Sequence, residues 1–200
     1  TVENSVNKMN RLLANLRSGQ DPEKQIDAVA VCEVLEDVRV TMSAGTPSPA
    51  LDCQARGLLV NADRDRLSAV VGHVVRNAQD ATPADGRIIV RLFKQNDQAV
   101  IEVQDTGSGM DEAFVRTSLF KPFTSTKGNS GMGIGAYETR EFIRKLGGEV
   151  EVITRLGEGT TFRMRIPISA ERKTGVKSPD STDNGQGDGY RLEETAGHRG

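Results

Sequence analysis

The stretch from Leu67 to Ile168 constrains the fold most, because its apolar residues change period along the chain. Leu67, Val70, Val71, Val74, Val75 and Ala78 recur at helical spacing, so residues 64–81 are expected to form a helix with one apolar face. Asp63 is its candidate N-cap and Asp65 lies in its first turn. TPADG (82–86) turns the chain. RIIVRLF (87–93) and AVIEVQD (99–105) read as a hairpin around QND. A short helix is expected over 111–117 and a longer one over 133–146, stopped by Gly147-Gly148. EVEVIT (149–154) and TTFRMRIPI (160–168) form a second hairpin around GEG.

The first sixty residues carry weaker signals. Val2, Val6, Met9, Leu13 and Leu16 step by four, three, four and three, an a/d seam of about two heptads that ends near Ser18-Gly19 and Asp21-Pro22. Residues 26–41 read as mostly helical, 43–49 as a loop and 57–60 as a short strand. From Ser169 onward the chain has one Val, one Leu and one Tyr among polar residues and glycines. Such a segment buries too little apolar surface to offset its ordering entropy and is expected to be a disordered tail. The chain opens at Thr1, inside the heptad seam, and reads as part of a longer protein.

Composition narrows the function classes. Aromatics are 4% and Trp is absent, so Val, Ile, Leu and Ala must build the core. A net charge of −2 leaves no electrostatic footprint for nucleic acid. No apolar run approaches a membrane span, so no direct membrane contact is expected. Cys32 and Cys53 lack metal-ligand spacing and are expected to be reduced core thiols.

Three motifs follow one another with a loop between the last two. His73, Asn77 and Asp80 share one face of the 64–81 helix by their spacing. An Asn amide oxygen is a hard, neutral ligand suited to Mg²⁺, which takes most other ligands from phosphate oxygens and water. Asp105 ends an apolar strand and opens DTGSGM. A carboxylate there only accepts, and adenine offers its N6 amino group where guanine presents an acceptor. Gly107 and Gly109 allow close backbone approach. Residues 110–130 read as a lid containing LFKPFTSTK, with Phe120 and Phe123 as anchors, Gly128 and Gly131 as hinges, and Lys127 as a point charge for phosphate. GMGIG (131–135) places N–H groups at a helix start, a ready phosphate site. It also fits a dinucleotide fingerprint, but TSTKGNS precedes it rather than an apolar strand.

Taken together, Asn77 in HVVRNAQDAT, DTGSGM, KPFTSTK and GMGIG resemble, in order and spacing, the N box, first glycine box, F box and second glycine box of the ATP-binding domain of sensor histidine kinases. That superfamily is shared with gyrase, Hsp90 and MutL. The PFTSTK-then-GMGIG form is most similar to the nitrogen-regulation type, with the exosortase-associated kinases a looser second. The resemblance implies an α/β two-layer sandwich of the Bergerat type, a mixed sheet covered on one face by about three helices. It divides the chain into the end of a dimerisation hairpin (1–18), a catalytic ATP-binding domain (19–168) and the tail (169–200).

The implied ligands are ATP and Mg²⁺, with Asn77 holding the metal. The implied nucleotide contacts are Asn77, Asp80, Asp105, Gly107, Gly109, Met110, Phe123, Thr124, Ser125, Thr126, Lys127, Gly131, Met132, Gly133, Ile134, Gly135 and, beside the base, Thr161. Lys127 and His73 are the candidate catalytic residues. Hydrolysing relatives carry a water-activating Glu where His73 stands, which favours transfer to a protein nucleophile. His73 lacks an acidic neighbour and His198 lies in the tail, so the phosphoacceptor histidine is expected on a hairpin upstream of Thr1. The implied partners are a second copy through the N-terminal helix and a response-regulator receiver domain, and the implied location is cytoplasmic. The rival readings are a gyrase- or MutL-like ATPase clamp, a serine kinase of the anti-sigma-factor type, and a non-catalytic nucleotide-gated module.

Overall fold

The computed structural model describes residues 26–124 and 133–169. In chain order the elements are β1 (Asp27–Ala30), α1 (Val31–Met42), β2 (Ala50–Cys53), β3 (Leu59–Ala62), α2 (Arg64–Ala81), β4 (Ile88–Gln95) and β5 (Gln98–Asp105). Then follow α3 (Glu112–Thr117), α4 (Gly135–Lys145), β6 (Glu149–Arg155) and β7 (Gly159–Pro167). The heptad seam, the 1–18 segment, the hinges Gly128 and Gly131, and the tail beyond Ser169 lie outside the described residues.

Five strands form one mixed sheet in the order β2-β4-β5-β7-β6. Only β2 and β4 pair in parallel, and α2 lies in the crossover between them. The other neighbours are antiparallel hairpins or their junction. The register decides which side chains face the helices. Val90, Val103 and Phe162 stand in one row, and Leu92, Ile101 and Met164 in the next. These residues are buried and pack with Val34 and Leu35 of α1, Leu67, Val71 and Val75 of α2, and Ile143 of α4. The core therefore lies on one face of the sheet, under three helices, as a two-layer sandwich.

The opposite face carries a ladder of ion pairs. Arg163 reaches Glu102 at 2.7 Å and Glu151 at 3.1 Å, while Arg165 reaches Glu151 at 2.7 Å and Glu149 at 3.1 Å. Arg91 bridges Glu102 at 2.9 Å and Gln104 at 2.8 Å. The Arg165 hydrogen bond is the main reason the Glu151 carboxyl sits below its ordinary range. This ladder satisfies the half-buried charges that a second helical layer would otherwise have had to cover.

Three expectations change. Residues 27–30 form a strand, not the start of a helix, because β3 offers an antiparallel partner, Val29 opposite Val60. The helix then starts at Val31, whose N–H donates to Leu58 O at 3.1 Å. A second strand, β2, appears at the sheet edge just after Pro47 and Pro49. Finally, Cys32 and Cys53 are not reduced thiols but form a disulfide, their Cα atoms 6.2 Å apart. Adding β2 beside β4 brings Cys53 against the buried face of α1, which carries Cys32. Ser169, just beyond the closing strand, is tied back to β3. Ser169 donates from its N–H to Leu59 O at 2.8 Å, and its hydroxyl lies 2.9 Å from Asn61 Oδ1.

Candidate nucleotide site

The site is assembled around α2. Asp63 caps this helix, its Oδ1 accepting from Arg66 N–H at 3.1 Å. Arg64 ties the same turn to Glu33 and Asp37 of α1. With Leu67, Val70, Val71, Val74, Val75 and Ala78 buried, the helix must turn His73, Asn77 and Asp80 outward, and all three are exposed. The two ends of that exposed face meet different loops. At its C-terminal end, Ser108 N–H donates to Ala81 O at 3.0 Å. One turn before Asn77, His73 lies against Gly135, where an added Cβ would stand 3.6 Å from the His73 Cβ. From residue 73 to 81 the helix rises about 12 Å, so the two loops meet it about two turns apart.

At the C-terminal end of that face, Asp105, the last residue of β5, is 7% exposed. Its Oδ1 accepts two backbone N–H bonds, from Gly107 at 2.8 Å and Thr160 at 3.2 Å. Among the described residues no hydrogen bond is formed to Oδ2. Burial raises the carboxyl above its ordinary range, and the two N–H bonds partly counter that shift. The glycines of DTGSG are required by approach. A Cβ on Gly107 would lie 2.5 Å from Ala81 O, and one on Gly109, held at φ +64°, would collide with Arg155 O.

At the other end, beside His73, α4 begins at Gly135 with Ile134 as N-cap and no side-chain cap bond. Its first N–H groups are thus not satisfied by a capping side chain and suit an anion. Gly133 has φ +63° and a Cβ there would overlap the backbone of Thr124, while Phe123 N–H donates to Gly133 O at 3.0 Å. Glu138, in the first turn of α4, places its Oε2 4.0 Å from His73 Nδ1, so the fold supplies an acidic neighbour that the residues beside His73 in sequence do not. Ser125, Thr126, Lys127, Gly131 and Met132 lie outside the described residues.

The two phenylalanine anchors behave differently. Phe120 packs against the core and edge-on to Phe162, with Arg140 over its ring at 4.7 Å and donating to its carbonyl at 3.2 Å. Phe123 sits at φ +67° and is 49% exposed, so it does not anchor the loop by burial.

Thr161 is a second correction. It pairs with Gln104, one step out of register with Asp105, and so projects to the ion-pair face of the sheet. Thr160 pairs with Asp105 and shares its face. The alternation of Phe162, Met164 and Ile166 toward the core carried this signal in the sequence. Met110, at the end of the base loop, donates its N–H to Thr154 Oγ1 at 2.9 Å. Neither Thr154 nor Thr160 was among the expected site residues.

Among the described residues, no group of three or more His, Cys, Asp or Glu side chains is gathered to hold a metal ion. A cation at Asn77 would therefore draw most of its ligands from phosphate oxygens and water, the usual habit of Mg²⁺.

Comparison with known proteins agrees with this architecture. Residues 62–170 match the family described as histidine kinase-, DNA gyrase B-, and HSP90-like ATPases. The circadian input-output histidine kinase CikA of Synechocystis sp. is 34% identical over 53% of this chain and 15% of its own length. The signal transduction histidine-protein kinase AtoS of Escherichia coli K12 is 33% identical over 56% of this chain and 18% of its own. The chain thus spans less than a fifth of either relative. Among solved structures, the catalytic domain of histidine kinase ThkA superposes with a TM-score of 0.63 at 25% identity, covering 72% of this chain and 97% of that one. Full-length ShkA in complex with AMPPNP gives 0.67 at 22% identity, over 82% of this chain and 36% of that one. The family match covers more than half of the chain, and the chain belongs to the histidine kinase-, DNA gyrase B-, and HSP90-like ATPase family.

Proposed function

We propose that this domain binds ATP with Mg²⁺ and delivers the γ-phosphate to a histidine on a helical hairpin elsewhere in the parent protein, for relay to a response-regulator receiver domain. The observation that carries the reading is Asp105, a buried carboxylate with one oxygen held by two backbone N–H groups. Its second oxygen would accept from the N6 amine of adenine, where guanine presents a carbonyl, and so would select adenine. Asn77 would hold the cation, which supplies charge neutralisation between the β- and γ-phosphates. The N-terminus of α4 would receive phosphate oxygens, and Lys127, with Ser125 and Thr126, would complete the phosphate contacts from the lid. His73 stands where a water-activating base would be needed for hydrolysis. An imidazole lacks the negative charge that a carboxylate base supplies, so transfer to a protein nucleophile is favoured over release of phosphate. Catalysis would then consist mainly of positioning and electrostatic stabilisation. The parent would dimerise through the segment that carries the heptad pattern of residues 1–18.

The test is a calorimetric titration with ADP and GDP in the presence of Mg²⁺. The reading expects ADP to bind and GDP to bind at least tenfold more weakly. Equal affinity for the two would defeat the assignment of Asp105 to the base.

A further inference from the structure

The β6–β7 hairpin closes the sheet, but its contacts reach further, into the base loop. Three consecutive points of that loop rest on it. Gly157 N–H donates to Ser108 O at 2.8 Å, Gly109 lies against Arg155 O, and Met110 N–H donates to Thr154 Oγ1 at 2.9 Å. Thr154 Oγ1 also donates to Gly159 O at 3.0 Å and lies 3.0 Å from Thr160 Oγ1. A hydroxyl has one proton to give and two lone pairs to offer. With its proton on Gly159 O, Thr154 accepts from Met110 and from the Thr160 hydroxyl, and its capacity is full. Thr160 in turn donates its backbone N–H to Asp105 Oδ1 at 3.2 Å. One side chain thereby links the end of the base loop at Met110 to the carboxylate at its start.

We propose that Thr154 is a positioning and specificity-determining residue for the base pocket, fixing the 105–110 loop and the Asp105 carboxylate through Met110 and Thr160. The proposal rests on the reading of Asp105 as the base-recognising group. Thr154 touches no nucleotide itself in this account. Its hydroxyl sets the position of the backbone that flanks the base and the orientation of the oxygen that accepts from it. Val has the same shape but no hydroxyl, so it would leave Met110 N–H and Gly159 O without this partner.

The experiment compares wild type, Thr154→Val, Thr154→Ser and the surface control Ile153→Thr by calorimetry with ADP and GDP, alongside thermal melting. Thr154→Val is expected to weaken ADP at least fivefold and to narrow the ADP/GDP ratio, because a loosened carboxylate discriminates less. Thr154→Ser, which keeps the hydroxyl, is expected to restore both, and Ile153→Thr to alter neither. A Thr154→Val protein that folds and keeps wild-type affinity and selectivity overturns the proposal, as does a Ser variant no better than Val. Should the Val variant fail to fold, hydrogen exchange on the nucleotide-free wild-type chain decides. The Met110 amide is expected to be protected like those of β6, and exchange at the rate of an open loop overturns the proposal. A wild-type protein that fails to prefer ADP refutes the Asp105 reading instead, a result visible before any variant is measured.

Discussion

Replacing Asp105 with Asn separates binding from folding. Both hydrogen bonds that the described residues make to the carboxylate fall on Oδ1, from Gly107 and Thr160. An Asn can keep its carbonyl oxygen in that position and accept both. Its amide NH₂ then occupies the place of Oδ2 and faces the exocyclic amine of adenine, donor against donor. The lost charge-assisted bond is worth about 1.5–3 kcal/mol, and each ~1.4 kcal/mol is tenfold, so ADP affinity should fall by roughly ten- to a hundredfold. Stability should not fall, because burial disfavours the charged form of Asp105 and the amide removes that charge. Guanine, with an acceptor at that position, should gain relative to adenine. Calorimetry with ADP and GDP, and a thermal melt of the free domain, read all three effects. Unchanged ADP affinity with an intact melt would refute the reasoning, and a melt that collapses would show that the carboxylate serves the fold rather than the ligand.

Three further outcomes are expected. Since burial raises the Asp105 carboxyl, acidification should protonate it above the ordinary carboxylate range. ADP affinity should then be full at neutral pH and lost as pH falls through that raised value, while the free domain loses an unfavourable buried charge over the same window; affinity constant down to the ordinary aspartate range would contradict this. Reducing the Cys32–Cys53 disulfide, which closes a separation of 21 residues, should remove about 3 kcal/mol of loop-closure stabilisation, or roughly 10 °C of melting temperature for a domain of this size; melting with and without reductant, and of Cys32→Ser, checks it. Gly109→Ala should impair nucleotide binding severely, because a Cβ at φ +64° meets the Arg155 carbonyl, and a titration showing normal ADP binding would refute that packing argument.

The long periodic elements were legible in the sequence because their patterns persist over many residues. α2 buries the six residues its spacing marks, and β4 with β5 and β6 with β7 pair as the alternating runs predict. The placement of Asp105 at a strand end and of Gly135 at a helix start followed from the same patterns. What the sequence concealed is short or relational. β1 and β2 have four residues each and no period of their own, and only β3 and β4 make them strands. The disulfide depended on β2, so missing the strand meant missing the pair. In the Thr160-Thr161 pair a one-residue step in register moves a side chain through the sheet, and Thr154 matters only because the hairpin folds back on Met110.

A histidine kinase domain passes phosphate to a histidine, whereas an ATPase releases it. The most direct measurement supplies γ-phosphate-radiolabelled ATP and Mg²⁺ to the domain together with the histidine-bearing hairpin of its parent. The account predicts acid-labile, base-stable label on the hairpin, no label on this chain alone, and loss of transfer in Asn77→Ala with ADP binding largely retained. Steady release of free phosphate without labelled hairpin, or labelling of the bare chain that His73→Gln abolishes, would contradict it.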